Sequence, residues 1–155
     1  MPERELSIGP EIAKKENPEF IQLLETSNHE MGHVIVAQSC GWSVEKVSIE
    51  AKGNILGFTK LSAPAKDEKD LLLERAAISY GGQIAARMMG DTADGCSSDM
   101  SVVDDLARIA AIRFGMSEAQ FRHQAIGIAH GALRSSGISF IAKRGQYLAE
   151  TGKAA

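Results

Sequence analysis

Two cysteines, Cys40 and Cys96, are too few for a disulfide framework, and neither has a CxxC partner that would suggest a thiolate zinc site. They read as reduced thiols of a cytoplasmic protein. No apolar run approaches the ~18 residues of a transmembrane helix. The start, Met1-Pro2-Glu3-Arg4-Glu5, is charged with no apolar segment behind it, which argues against a secretory signal. A formal net charge of -3 gives no electrostatic reason to expect nucleic acid or an anionic membrane. There is no G-x-x-x-x-G-K-[ST] loop, so ATP is not bound by that device. No internal repeat or low-complexity block is present. What remains is a 155-residue chain with 44% hydrophobic and 24% charged residues, sufficient for one globular domain with its own core.

Residues 1–17 form a polar lead-in ending in Asn17-Pro18, a plausible cap and first helical residue. A helix is expected from Pro18 to Cys40, stopped by Gly41. Two strands follow, Val44 to Glu50 and Asn54 to Leu61, with a turn at Lys52-Gly53-Asn54. A second helix is expected over Asp67 to Met89, interrupted at Gly81-Gly82. A third runs from Ser97 or Ser98 to Phe114. A last one, capped by Ser117, extends from Glu118 towards Glu150. The fold class is therefore α+β and mostly α-helical, with one small sheet or hairpin and a helical C-terminal end.

His29-Glu30-Met31-Gly32-His33 is an HExxH motif inside the first helix. Residues four apart share a helical face one turn apart, so the two imidazoles can grip one zinc ion. Glu30 projects about 100° round the axis, beside the metal position, where a carboxylate can act as a base. At this chain's own His and Glu frequencies the motif arises by chance in roughly 0.8% of such sequences. Gly32 in the helix interior costs ~1 kcal/mol relative to Ala, which suggests that something approaches the backbone closely there.

A hydrolytic zinc site usually has three protein ligands. The metzincin extension would need Gly and His where Val36 and Ser39 stand. His123 and His130 read as surface residues of the last helix. Glu74, Asp91, Asp94, Asp99, Asp104 and Asp105 are the carboxylate candidates, and spacing does not choose among them.

His29 to Val36 resembles the HEAGH-A-I-V stretch of the peptidase domain of FtsH-type ATP-dependent zinc proteases, peptidase family M41. Val44 to Ile49, Ile55-Leu56-Gly57-Phe58-Thr59, Leu71 to Gly82, Cys96-Ser97-Ser98-Asp99 with Asp105 to Arg108, and Phe114 to Ser117 are similar to further family segments in the same order. The likeness covers roughly residues 20–118. It implies a zincin-like core over 18–118 within a single domain, 18–155; the Ala, Gly and Ile content of the remaining helical segment, 119–155, suits packing on the core or on another subunit.

The resemblance implies one Zn2+ per chain held by His29, His33 and Asp99, with Glu30 as the general base; Glu74 is the second candidate for the third ligand, in the style of zinc proteases that use a downstream Glu. It also implies that Ile55, Leu56, Gly57, Phe58 and Thr59 form an edge strand to which an extended peptide adds. The expected activity is endopeptidase cleavage of unfolded or flexible polypeptides, with a separate AAA-type unfoldase needed for folded ones. The alternative is a catalytically weak or inactive binding or regulatory module that partners an ATPase or protease. Where the family has acidic residues after its glycine pair, this chain has Gln83-Ile84-Ala85-Ala86-Arg87, so a carboxylate from there that would orient a ligand is missing.

Overall fold

The computed structural model describes residues 18–50, 57–91 and 97–152. Within them, five helices and two strands occur in the order α1 (Pro18–Ser39), β1 (Ser43–Ser48), β2 (Phe58–Ser62), α2 (Glu68–Met88), α3 (Ser97–Phe114), α4 (Glu118–Ser136) and α5 (Ile138–Thr151). This is the expected mostly helical α+β architecture. The lead-in, Asn17, the Lys52-Gly53-Asn54 turn and Cys96 lie outside the described residues.

Helix α1 is the centre of the domain. From Ser27 to Ala37 almost every residue is buried, and Met31, Val34, Val36 and Ala37 have no exposed surface. A helix buried on all sides must be surrounded by other elements. Helices α2 and α5, together with α4, do this. Its end is closed as the sequence suggested: Trp42 N–H donates to Ala37 O at 2.9 Å and Gly41 N–H to Gln38 O at 3.1 Å. Gly41 takes φ 82°, the left-handed conformation that this cap demands and that glycine adopts without strain.

Helix α2 corrects the expected break at Gly81-Gly82: it runs unbroken through both glycines. The reason lies in the packing. A Cβ on Gly32 would stand 2.2 Å from Gly81 O and 2.7 Å from the Ala85 Cβ, and one on Gly81 would stand 2.7 Å from Gly32 O. The two helices therefore cross backbone against backbone at this pair. The propensity cost of glycine, ~1 kcal/mol each, is offset by close burial of Ala76, Ala77, Ile78 and Ala85 against α1. The close approach inferred from Gly32 alone is thus a contact with α2.

The last helix is also two rather than one. Ser117 caps α4 as expected, its hydroxyl accepting from Gln120 N–H at 3.1 Å. Gly137, at φ 85° and ψ 154°, then stops α4 and turns the chain into α5. The turn lets α5 lie on α1, where a Cβ on Gly145 would fall 1.9 Å from Asn28 Oδ1. Leu133, Ile141 and Leu148 become fully buried by this folding back. Sequence periodicity continued through Gly137 because both helices bury one apolar face.

The sheet is a two-stranded antiparallel ribbon in which Val47 pairs with Thr59 and Ser48 with Phe58, with an irregularity between Val44 and Lys46. The first strand starts one residue before Val44 and ends at Ser48 instead of Glu50, and the second begins at Phe58 after Gly57 and ends at Ser62 instead of Leu61. Of the supposed peptide-binding segment, Phe58 and Thr59 lie in β2, Gly57 precedes it, and Ile55 and Leu56 fall outside the described residues. Alternation along β2 turns Thr59 and Leu61 inward and Phe58 and Lys60 to solvent.

Candidate metal centre

His29 and His33 stand on successive turns of α1, their rings edge to face with centroids 4.8 Å apart. Their Nε2 atoms are 3.2 Å apart. Asp99 enters from the first turn of α3, 70 residues on from His29, and its Oδ2 lies 2.9 Å from His29 Nε2 and 3.3 Å from His33 Nε2. Three donor atoms thus form a triangle of nearly equal sides. A tetrahedral zinc ion with bonds of about 2.0–2.2 Å spaces its ligands about 3.3–3.5 Å apart, so the donor set fits such an ion with little adjustment. Two neutral nitrogens and a carboxylate oxygen also suit zinc chemically.

The opposite wall is Gly82. A Cβ there would lie 2.7 Å from both His29 Nε2 and His33 Nε2. Only a residue without a side chain leaves the space onto which the two rings open.

His33 is buried, and its Nδ1–H donates to Ile78 O at 2.6 Å, which turns Nε2 towards His29 and Asp99. This backbone carbonyl of α2 orients the ring where the sequence offers no carboxylate after the glycine pair. Burial disfavours a charged ring at His33. The hydrogen bond to Asp99, the charges of Glu30 and Asp99 and the Ile78 carbonyl outweigh it and raise the pKa to about 9. Burial by itself would raise the Asp99 carboxyl, but hydrogen bonds from His29 and His33, with their charges, hold it well below the usual carboxylate range. In the metal-free chain a proton thus supplies the positive charge that the carboxylate attracts. Arg75, half-buried on α2, donates to Ser79 Oγ at 3.2 Å, and its charge also acts on Asp99.

Among the described residues the other carboxylate candidates are engaged elsewhere. Glu74 accepts from Trp42 Nε1 and from Lys66 Nζ, both at 2.8 Å, and so ties the end of α1 and the segment before α2 to α2 instead of joining the histidines. Asp91 accepts from Asn28 Nδ2 at 3.1 Å. Asp104 pairs with Arg122, and Asp105 with Arg108. Asp94 lies outside the described residues. His123 is exposed and His130 half-buried on α4, and neither joins a metal-ligating cluster among the described residues.

Glu30 is buried beside the triangle, and Thr59 Oγ1 donates to its Oε1 at 2.7 Å. Sequence reasoning placed Thr59 on the peptide-binding strand but did not anticipate its hydroxyl on Glu30. It also missed Gly82 as a wall and Ile78 as an orienting group. The first has a visible signal, a glycine pair inside a helical pattern, but its meaning depends on which helix crosses there.

Comparison with known proteins gives relatives of one kind. The chain is 36% identical over 100 residues to an ATP-dependent zinc metalloprotease FtsH of Burkholderia pseudomallei (strain 1710b), covering 59% of this chain and 15% of that protein. It is 35% identical over 106 residues to an ATP-dependent zinc metalloprotease FtsH 2 of Salinibacter ruber (strain M8), covering 64% and 15%. An FtsH of Ruminiclostridium cellulolyticum is 33% identical over 118 residues, covering 72% and 19%. The matched part is therefore under a fifth of the length of each of these relatives. No solved structure matches significantly. Among the described residues no helix is long and apolar enough to cross a membrane. Peptidase family M41 matches across residues 22–135, a span that holds the converging histidines, Glu30, Asp99 and the glycine crossing beneath them, and to that family this chain belongs.

Proposed function

We propose that this domain is a zinc-dependent endopeptidase acting on unfolded or flexible polypeptide, with His29, His33 and Asp99 as the zinc ligands and Glu30 as general base. The observation that carries the reading is the triangle of two Nε2 atoms and one Oδ2, with sides of 2.9, 3.2 and 3.3 Å. Zinc held there supplies Lewis-acid polarisation of the scissile carbonyl and eases deprotonation of the attacking water. The chain's own residues do the rest. Glu30 accepts the proton from that water and returns it to the leaving amine. Ile78 O keeps the His33 ring in register. The outer edge of β2, which pairs only with β1 among the described residues, offers backbone groups to an extended peptide. Backbone recognition favours chains without fixed structure. Folded substrates need an unfoldase, in keeping with relatives whose names describe them as ATP-dependent.

The test is cleavage of casein or another unfolded chain by the zinc-loaded protein, with and without chelator, alongside Asp99→Ala. Activity that the chelator abolishes, together with sub-stoichiometric zinc in Asp99→Ala, supports the reading. Full zinc in that variant removes Asp99 from the ligand set. Bound zinc without hydrolysis of any unfolded substrate favours a binding or regulatory module instead.

Proton linkage gives a second expectation. With a pKa of about 9, His33 is mostly protonated at pH 7 in the metal-free chain. A ligating Nε2 must be bare, so zinc uptake at pH 7 releases about one proton, and affinity rises with pH until about 9. Calorimetry in buffers of different ionisation enthalpy reads this directly; apparent enthalpies that do not vary with the buffer would contradict it.

A further inference from the structure

Resting on the peptidase reading, we propose that Thr59 is the positioning residue for the general base: its hydroxyl fixes one oxygen of Glu30 so that the other faces the attacking water. Glu30 has three rotatable side-chain torsions, and a base works only when its oxygen lies within hydrogen-bond reach of the proton it takes. Two contacts remove that freedom, and both come from the same short segment. Thr59 Oγ1 donates to Glu30 Oε1 at 2.7 Å, the short distance of a bond to a charged acceptor. At the stem, the backbone of Gly57 lies so close that a Cβ there would be 3.2 Å from Glu30 Cγ and 3.0 Å from Thr26 Cγ2.

Thr59 is itself held. It sits in β2 opposite Val47, and its branched Cβ restricts its rotamer. Among the described residues no hydrogen bond reaches Glu30 Oε2, which leaves that oxygen to take the proton. During turnover the proton passes from water to Oε2 and then to the leaving nitrogen. The Thr59 hydroxyl keeps its own proton and donates to Oε1 throughout. The strand that would carry the substrate backbone therefore also aims the base, and one element sets the register between the scissile bond and the carboxylate.

The test uses the zinc-loaded chain and a quenched fluorescent peptide. Thr59→Val keeps the branched shape and the strand backbone but removes the donor. We expect kcat to fall roughly 10- to 100-fold, the order lost when a reacting group is no longer held in place, with KM within about twofold. Zinc content should match wild type, Tm should fall by only a few degrees, the cost of one unsatisfied buried acceptor, and Thr59→Ser should recover most of both kcat and Tm. An unchanged kcat in Thr59→Val overturns the proposal, as does a raised KM at constant kcat, which would make Thr59 a substrate contact only. Crystals of the metal-free proteins give a readout independent of turnover. The Glu30 carboxylate should hold one orientation in wild type and Thr59→Ser and spread over several in Thr59→Val. If wild type cleaves nothing, the peptidase reading falls, and the positioning claim is decided by those orientations alone.

Discussion

Glu30→Gln, loaded with zinc, is expected to keep wild-type metal content and to cut unfolded polypeptide about 10²- to 10⁴-fold more slowly, the range that a positioned general base contributes. Glutamine has the size and shape of glutamate and retains an oxygen that can accept from Thr59. It lacks a site that takes a proton at neutral pH. Glu30 is only 5% exposed, so replacing a buried charge by a neutral amide should leave Tm equal or slightly higher. Loss of cleavage with full zinc and an intact melting transition therefore separates chemistry from folding. Cleavage that persists at the wild-type rate assigns the base to another group.

The second large effect is expected from Gly82→Ala. One methyl group would lie 2.7 Å from both imidazole Nε2 atoms, inside the space onto which the donors converge. Either the rings turn away or α2 withdraws, and each separates the ligands. Zinc affinity should drop by roughly 10- to 100-fold or more, at least the cost usually seen when ligand orientation is lost. Gly127→Ala on α4 is the matched control, because a Cβ there meets nothing within 4 Å. It should bind zinc normally and gain about 0.4–1 kcal/mol of stability, as expected where a helical glycine becomes alanine without strain. A competition assay with a chelating dye reads the affinities, and chemical denaturation reads the stabilities. Normal zinc binding in Gly82→Ala would place the ion away from the two rings.

Local features were legible in the sequence and non-local ones much less so. The spacing of His29 and His33 requires only one helix, and the cap at Gly41 is written within three residues of the turn it makes. Asp99 is different. It meets His29 across 70 residues of chain, through the crossing of three helices, and spacing alone left it among six carboxylates. Resemblance to a family singled it out, and the geometry brings it to the histidines while Glu74 is held by Trp42 and Lys66. The errors follow the same division. Gly81-Gly82 reads as a break because helix propensity is a property of the isolated segment, whereas its neighbour across the crossing decides the outcome. Gly127, Gly131 and Gly137 all read as weak points of one last helix, and only Gly137 ends it, because the apolar period continues on both sides and does not tell the three apart. The second strand is expected from Asn54, whereas Gly57 precedes β2 and residues 54–56 lie outside the described residues.

The glycine crossing has a mechanical consequence. Gly32 directly precedes His33, and Gly81 directly precedes Gly82, so the point where two main chains touch lies one residue from each jaw of the cleft. Side chains between helices act as cushions that can be compressed or re-seated; here there is no cushion. Bare peptide against bare peptide works as a hard stop, and it gauges the width of the gap independently of whatever fills it.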